Sequence, residues 1–586
     1  MSDYKLVNLV DAGLEDIANE LTLPIICASS SNTFQNFNAL TISKNQIQFN
    51  IQIPSLATSF KRNILIQSKC KLKIDFNGGA TVGYWKAGEQ LFCYGKSNAL
   101  QAFPLNSAFS TIQSQINNSN ITLSSREVLP ALLKMCNYEE LARTNSLCPS
   151  LVDSFYYDYS DGLNSNSNVL GNYASSTFAK EYQPRGCFPV VVTDMDGDEV
   201  PFSFIADEDG TNPYPSIYLE FLTTEPILFL SPFSSGVSSN QANFLGINGL
   251  TMTFTIASSA GNYMMSNASY ALLEDETQNE TISNVELIGF TECRALFNFQ
   301  TIPPQLYDKI LPKNVLNFNQ YTCYPTSNNS AIQPRKTAVL QSTNLQLNQI
   351  PSKILIYVKQ NDKTSYESNN FMVIDDITVS FANKTGLLSG ITRQQLYNVS
   401  VKNGLQMNYY EFAGQGISSV SDGTVLNVPT IGSILVLDPA SDLSLEPQYS
   451  NMSSGQFNLS FTVNVFNQSS YKTITPTIYI VCVNSGLFIT ENGQSTFTTG
   501  MLSQEQVLET KAKNAITDTH TYEKDIVGGS IENIGAIHKH VKKFFSRNGE
   551  KERELDNDKG ESAGAMSSGA MSSGAMPRKK VHKYMQ

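Results

Sequence analysis

Histidine is the side chain most often used to move protons or hold a metal near neutral pH, so its placement limits the chemistry this chain can do. All four histidines, His520, His538, His540 and His582, lie late, and residues 1–519 have none. A Ser-His-Asp or Cys-His site, or a histidine-held metal, cannot be built there. The nine cysteines, at 27, 70, 93, 136, 148, 187, 293, 323 and 482, are scattered, with no Cys-x-x-Cys pair. They read as reduced, buried thiols that pack like small apolar groups. The acidic run Asp194-Met195-Asp196-Gly197-Asp198-Glu199, with Asp207, Glu208 and Asp209 beyond it, invites a calcium reading. Glycine stands fourth rather than sixth, however, and the twelfth position is Ile205, so a solvated loop is expected. Pairs such as Glu274-Asp275 could mimic a glycosidase dyad, but nothing in the sequence sets them across a cleft. No GxxxxGK[ST], helix-opening GxGxxG or GxSxG occurs. The expectation is a protein with no catalytic residues, no cofactor and no metal.

Composition narrows the class further. Charged residues make up 16 % of the 586, against about 25 % in an average globular protein, and Asn, Gln, Ser and Thr take their place. With 32 Phe and 26 Tyr, most of the chain has material for a core, which excludes disorder there. The length suits two or more domains. No uncharged apolar run of 18 residues occurs, so no membrane helix is expected. The opening MSDYKLVNLVDAGLEDIANE has acids where a signal peptide needs an apolar stretch, which implies a protein not secreted by the standard route. Residues 530–586 carry 11 Lys+Arg against 7 Asp+Glu, whereas residues 1–529 carry 29 against 45. An acidic body with a basic tail argues against a general nucleic-acid surface on the body.

The dominant period is two. In QIQFNIQI (46–53), Ile47, Phe49, Ile51 and Ile53 share one face. In residues 66–76, Cys70, Leu72, Ile74 and Phe76 point inward while Lys69, Lys71, Lys73 and Asp75 point outward. The pattern recurs at 250–256, 376–381, 457–465 and 477–483, and such segments are half-buried antiparallel strands. Asn77-Gly78-Gly79 suits a tight reversal with positive φ, read as a hairpin. The apolar spacing of residues 125–144 predicts a helix with Ser125 at its N-cap; residues 11–22 and 304–311 are shorter candidates. The polar stretches 145–215 and 408–430 read as large loops on a rigid scaffold. Together these features predict an all-β chain of two β-sandwiches in series, with the seam at Pro303-Pro304.

The ordered series IPSKILIYVK (350–359), IDDITVSFANKTGLLSGITRQQLYNVSVKNG (374–404), GSILVLDPASDLSLEPQ (432–448), GQFNLSFTVNVFNQ (455–468) and the segment 475–508 resembles the C-terminal jelly roll of the double-jelly-roll major capsid proteins of virophages and Polinton/Maverick-type elements, with the mavirus-like branch nearest. The resemblance implies two consecutive eight-stranded jelly rolls with long loop insertions and a flexible C-terminal tail. It also implies homotrimers that act as pseudo-hexameric capsomers and tile an icosahedral shell around double-stranded DNA. Penton and minor capsid proteins are then partners, and the virion is the location. The expected divisions are an arm at 1–30, a first roll at 31–302, a second roll at 303–512, a linker at 513–529 and a tail at 530–586. The alternative is a carbohydrate-binding or adhesin-like sandwich protein, which would need exposed aromatic clusters; the single Trp85 counts against it.

The tail holds the most specific motif. Ile526-Val527-Gly528-Gly529-Ser530 matches the pattern cut by adenovirus-type cysteine proteases, which the resemblance makes a viral partner. The glycine pair lets a substrate lie extended in a narrow cleft. After it, Ile531, Ile534, Val541, Phe544 and Phe545 fall on one helical face, and Lys539, Lys542 and Lys543 crowd the other side. A GAMSS repeat follows as a flexible linker, and the chain closes on a basic peptide with Arg578, Lys579 and Lys580. The expectation is a tail removed after Gly529. Before removal, its apolar face could dock on a neighbouring shell, an internal protein or a membrane, and its basic residues could touch DNA.

Overall fold

The computed structural model describes residues 32–94, 98–101, 103–136, 190–233, 243–267, 281–302, 313–328, 330–360, 371–419, 425–429, 432, 434–445, 449–468, 473–500 and 503, and the backbone of two strands at 4–8 and 22–26. The chain divides into two compact units. Within the smaller one, β1 (Tyr4–Asn8) pairs antiparallel with β2 (Thr22–Ile26). Thr22, read as the end of a helix, thus opens a strand; residues 9–21 lie outside the described residues.

The larger unit carries two jelly rolls. In the first, β3 (Asn32–Asn38), β4 (Thr41–Ile42), β5 (Gln46–Gln52), β6 (Thr58–Phe60), β7 (Leu65–Phe76), β8 (Gln90–Cys93), β9 (Asn98–Leu100), β10 (Phe109–Ile116), β11 (Ser119–Leu123), β12 (Val190–Thr193), β13 (Ser203–Ile205), β14 (Ser216–Pro226), β15 (Gly249–Ile256), β16 (Met265–Asn267) and β17 (Ile282–Thr301) follow in order. Sheet 1a runs β12-β14-β7-β17-β3, and sheet 1b runs β11-β10-β15-β5-β4. Counted through the eight principal strands, β3, β5, β7, β10, β11, β14, β15 and β17, the orders are first-eighth-third-sixth and second-seventh-fourth-fifth, the winding of a jelly roll.

The second roll repeats this winding. Its strands are β18 (Lys313–Ser327), β19 (Thr337–Gln341), β20 (Leu345–Gln349), β21 (Lys353–Gln360), β22 (Val373–Phe381), β23 (Lys384–Leu387), β24 (Gln415–Ser419), β25 (Val425–Pro429), β26 (Leu435–Leu437), β27 (Ser454–Phe466), β28 (Pro476–Glu491) and β29 (Gln494–Thr499). Sheet 2a is β18-β28-β21-β26, and sheet 2b is β19-β27-β22-β23, with β20 also on β27 and β29 on β28. The third strand is therefore β7 in one roll and β21 in the other, and the eighth is β17 in one and β28 in the other.

Alternation fixes which face turns inward. Ile47, Phe49 and Ile51 of β5 and Cys70, Leu72 and Ile74 of β7 are at most 1 % exposed, and they belong to one apolar core that continues through both rolls. Each large apolar side chain so buried contributes roughly 1.5–3 kcal/mol. The segment 477–483 departs from the half-buried expectation, since residues 476–483 are buried on both faces, as are Ile354–Val358 of β21.

Helices are short. They are α1 (Pro104–Ala108), α2 (Ser125–Met135), α3 (Ala260–Met264), α4 (Arg393–Lys402), α5 (Tyr409–Phe412) and α6 (Pro439–Asp442). Ser124, not Ser125, occupies the N-cap of α2 and makes no side-chain cap bond; the helix stops at Met135 because Cys136 is extended. The start of α1 is held by Glu225, whose buried carboxylate accepts from the Leu105 and Asn106 amides, both at 2.8 Å, and from Thr223 Oγ1 at 2.6 Å. Gly78 and Gly79 do take positive φ, +71° and +52°. A Cβ on Gly78 would lie 2.3 Å from the Tyr84 ring. The turn is not a hairpin, however: β7 pairs with β14 and β17 and not with the strand that follows it. The stretch 145–215 contains β12 and β13, and 408–430 contains α5 and the β24–β25 hairpin, so neither is wholly loop.

Candidate assembly surfaces

Helix α2 leaves the fifth strand of the first roll and packs on the outer face of sheet 2a. The Glu127 carbonyl accepts from Tyr357 Oη at 2.7 Å, and Lys134 Nζ donates to the Gly432 carbonyl at 3.1 Å while standing 5.7 Å over the Phe371 ring. Tyr357 stacks on Tyr479 at 5.3 Å, and Tyr321 meets Phe229 of the first roll edge-on. This cover explains the double-sided burial of β21 and β28. Further polar pairs extend the seam. Arg62 Nη2 donates to Asn317 O at 3.2 Å, Ser119 Oγ to Ser495 O at 2.6 Å and Thr490 Oγ1 to Leu245 O at 2.6 Å. Burial pushes the Tyr357 hydroxyl and Cys323 thiol well up from their ordinary values and the Cys482 thiol up to about 12. These groups stay neutral and serve packing rather than proton transfer.

The outer face of sheet 1a holds charge instead. Lys69, Lys71 and Lys73 of β7 form its middle column. Glu220 of β14 pairs with Lys69 at 3.3 Å and Lys71 at 2.9 Å, and Lys73 pairs with Asp75 at 2.8 Å. Glu286 of β17 meets Lys44. Lys71 also stands 4.5 Å over the Tyr218 ring. Hydrogen bonds from Lys71 and Lys69 hold the Glu220 carboxyl below its ordinary value despite partial burial. Burial raises the Asp75 carboxyl, and bonds from Lys73 and Ser216 outweigh it, leaving a lowered value.

The remaining outer faces are nearly free of charge. On sheet 1b one row reads Asn120, Gln115, Thr251 and Asn50, and the next reads Thr122, Gln113, Thr253, Gln48 and Thr41. On sheet 2b, Val339, Asn464 and Asp376 form one row, and Gln341, Thr462 and Thr378 the next. Amides and hydroxyls can pair across a contact without burying ions.

The acidic run is an exposed turn folded on itself. Asp194 Oδ1 accepts from the amides of Asp196, Gly197 and Asp198, each at 2.9 Å. Trp85 is 7 % exposed and belongs to the core, so it offers no stacking platform. The residues singled out in the tail all lie outside the described residues. These are Ile526, Gly528, Gly529, Ser530, Ile531, Ile534, Lys539, Val541, Lys542, Lys543, Phe544, Phe545, Arg578, Lys579 and Lys580. Sequence reasoning missed the seam on α2 and it missed α4. The signal for α4 was present: Thr392 and Gln395 form a capping box, with Gln395 Oε1 accepting from the Thr392 amide at 2.9 Å.

Known proteins share this doubled winding. The family model described as Sputnik virophage major capsid protein 1st domain matches residues 2–309. The chain belongs to the virophage major capsid protein family. A second model, major capsid protein V20 C-terminal domain, matches residues 318–486. Protein V20 of Sputnik virophage, named as a capsid protein, is 25 % identical over 515 residues, 86 % of this chain and 81 % of its own length. In the solved Sputnik virophage structure, a chain 24 % identical superposes with a TM-score of 0.70 over 89 % of this chain and 98 % of its own. The mavirus major capsid protein is 15 % identical, with a TM-score of 0.60 over 81 % and 92 %. Of these two structures, Sputnik is the more similar. A virophage major capsid protein is a structural component of the virion and not an enzyme, which agrees with a body that lacks histidine.

Proposed function

We propose that three copies of this chain form a pseudo-hexameric capsomer and that capsomers tile an icosahedral shell around double-stranded DNA. The observation that carries this reading is the repeated winding. One chain supplies two similar sandwiches, so three chains supply six similar lateral walls. The charge-poor outer faces of sheets 1b and 2b support it, because they can pack without stranding ions in a body of net negative charge. In this reading the arm is 1–30, the rolls are 31–302 and 303–512, and the linker 513–529 leads to the tail 530–586. The tail acts during assembly and is cut after Gly529 by an adenovirus-type cysteine protease. Its basic residues meet DNA or internal proteins, and penton and minor capsid proteins join at the vertices. Two measurements test this. Electron microscopy of the expressed full chain should show trimers and closed particles. Mass spectrometry of mature particles should find a terminus at Gly529; an intact Gln586 there would refute the cleavage.

A further inference from the structure

The two rolls have the same strand order, and each has a helix after its fifth strand, α2 in the first and α4 in the second. Their surroundings differ. Glu127 and Lys134, seven residues apart on one face of α2, reach sheet 2a of the other roll. In α4, Leu396 and Ser400 face inward, where Ser400 Oγ accepts from the Val436 amide at 3.1 Å. Gln394, Asn398 and Val401, spaced i, i+4 and i+7 on the opposite face, are exposed. The sheets differ in the matching way: the outer face of 2a is covered by α2, and the outer face of 1a, its equivalent, is open. The chain thus contains one completed seam and the two separated halves of a second.

We propose that the outer face of sheet 1a, centred on Lys69, Lys71 and Lys73, docks helix α4 of a second copy of this chain, repeating between chains the seam that joins the rolls within one. This deepens the capsomer reading and rests on it. The chemistry suits a contact made after folding. The ions of sheet 1a are already paired with one another, so covering them buries pairs and not lone charges. Gln394 and Asn398 each offer both donor and acceptor to a mixed Lys/Glu surface. The joining surfaces are different patches, so the contact is head-to-tail, and it closes into a ring or runs on as an open chain according to its rotation.

The test uses the full-length chain with Lys71→Cys and Asn398→Cys together, treated with a short bis-maleimide under assembling conditions. The expected result is a ladder of cross-linked dimers and higher species in the double variant, at least tenfold above either single variant. Lys71→Glu should raise the concentration needed for assembly at least tenfold while leaving circular dichroism unchanged. If particles form but the double variant cross-links no more than the single ones, this docking surface is wrong and the capsomer reading stands. If the unmodified chain stays monomeric throughout, the capsomer reading fails and takes this inference with it.

Discussion

Sheets 1a and 2a share a strand order and present opposite outer faces. At the third strand, sheet 2a turns out Leu355 and Tyr357, which lie under α2, while sheet 1a turns out Lys69, Lys71 and Lys73 toward solvent. The inner faces of both are apolar and tightly buried. The winding is therefore set by the inward residues, and the outward ones are set by what each sheet meets. The same scaffold carries a permanent internal joint in one roll and a soluble, charge-paired wall in the other.

The sharpest way to break this comparison is to exchange the two kinds of surface. Leu355→Asp places a charge between sheet 2a and α2 and should cost about 4 kcal/mol or more, seen as an insoluble or early-melting protein. Lys71→Leu, at the equivalent strand of the open face, should change monomer stability by less than about 0.5 kcal/mol. Equal melting behaviour of the two variants would erase the distinction. Gly432→Ala should come next. Its Cβ would lie 2.3 Å from the Met372 carbonyl oxygen, beside the carbonyl that receives Lys134. The expected loss in chemical denaturation is about 1–3 kcal/mol. Tyr357→Phe removes the bond to the Glu127 carbonyl and should cost about 1 kcal/mol by the same measurement.

The smallest effect belongs to the open face and depends on pH. Glu220 and Asp75 titrate below their ordinary values because lysines bond to their charged forms. Their contribution is present above the ordinary carboxyl range and is lost as pH falls through the lowered values. Glu220→Gln should remove part of that acid limb in melts taken from pH 6 to pH 3, with a change at pH 7 of no more than about 1 kcal/mol. A variant with an unaltered acid limb would show that these pairs carry no stability.

Strand positions were legible because alternation is a local signal. QIQFNIQI and residues 66–76 placed the inward residues of β5 and β7 correctly. Burial on both faces of β28 was not legible, because a run such as TIYIVCV looks alike whether its second face meets solvent or a helix from far along the chain. Residues 125–144 showed a helix but not its partner, since the bonds to Tyr357 and Gly432 span hundreds of residues. β12 and β13 escaped notice in a polar stretch, being four and three residues long. The open charged face was half visible: Lys69, Lys71 and Lys73 read as outward, but Glu220 beside them became evident only from the strand register.

Electron cryomicroscopy of the particles formed by the full-length chain tests the central claim most directly. The account predicts closed shells whose repeating unit holds three chains and six upright jelly rolls. A dispersed monomer at every concentration, or an assembly whose unit is not three chains, would contradict it.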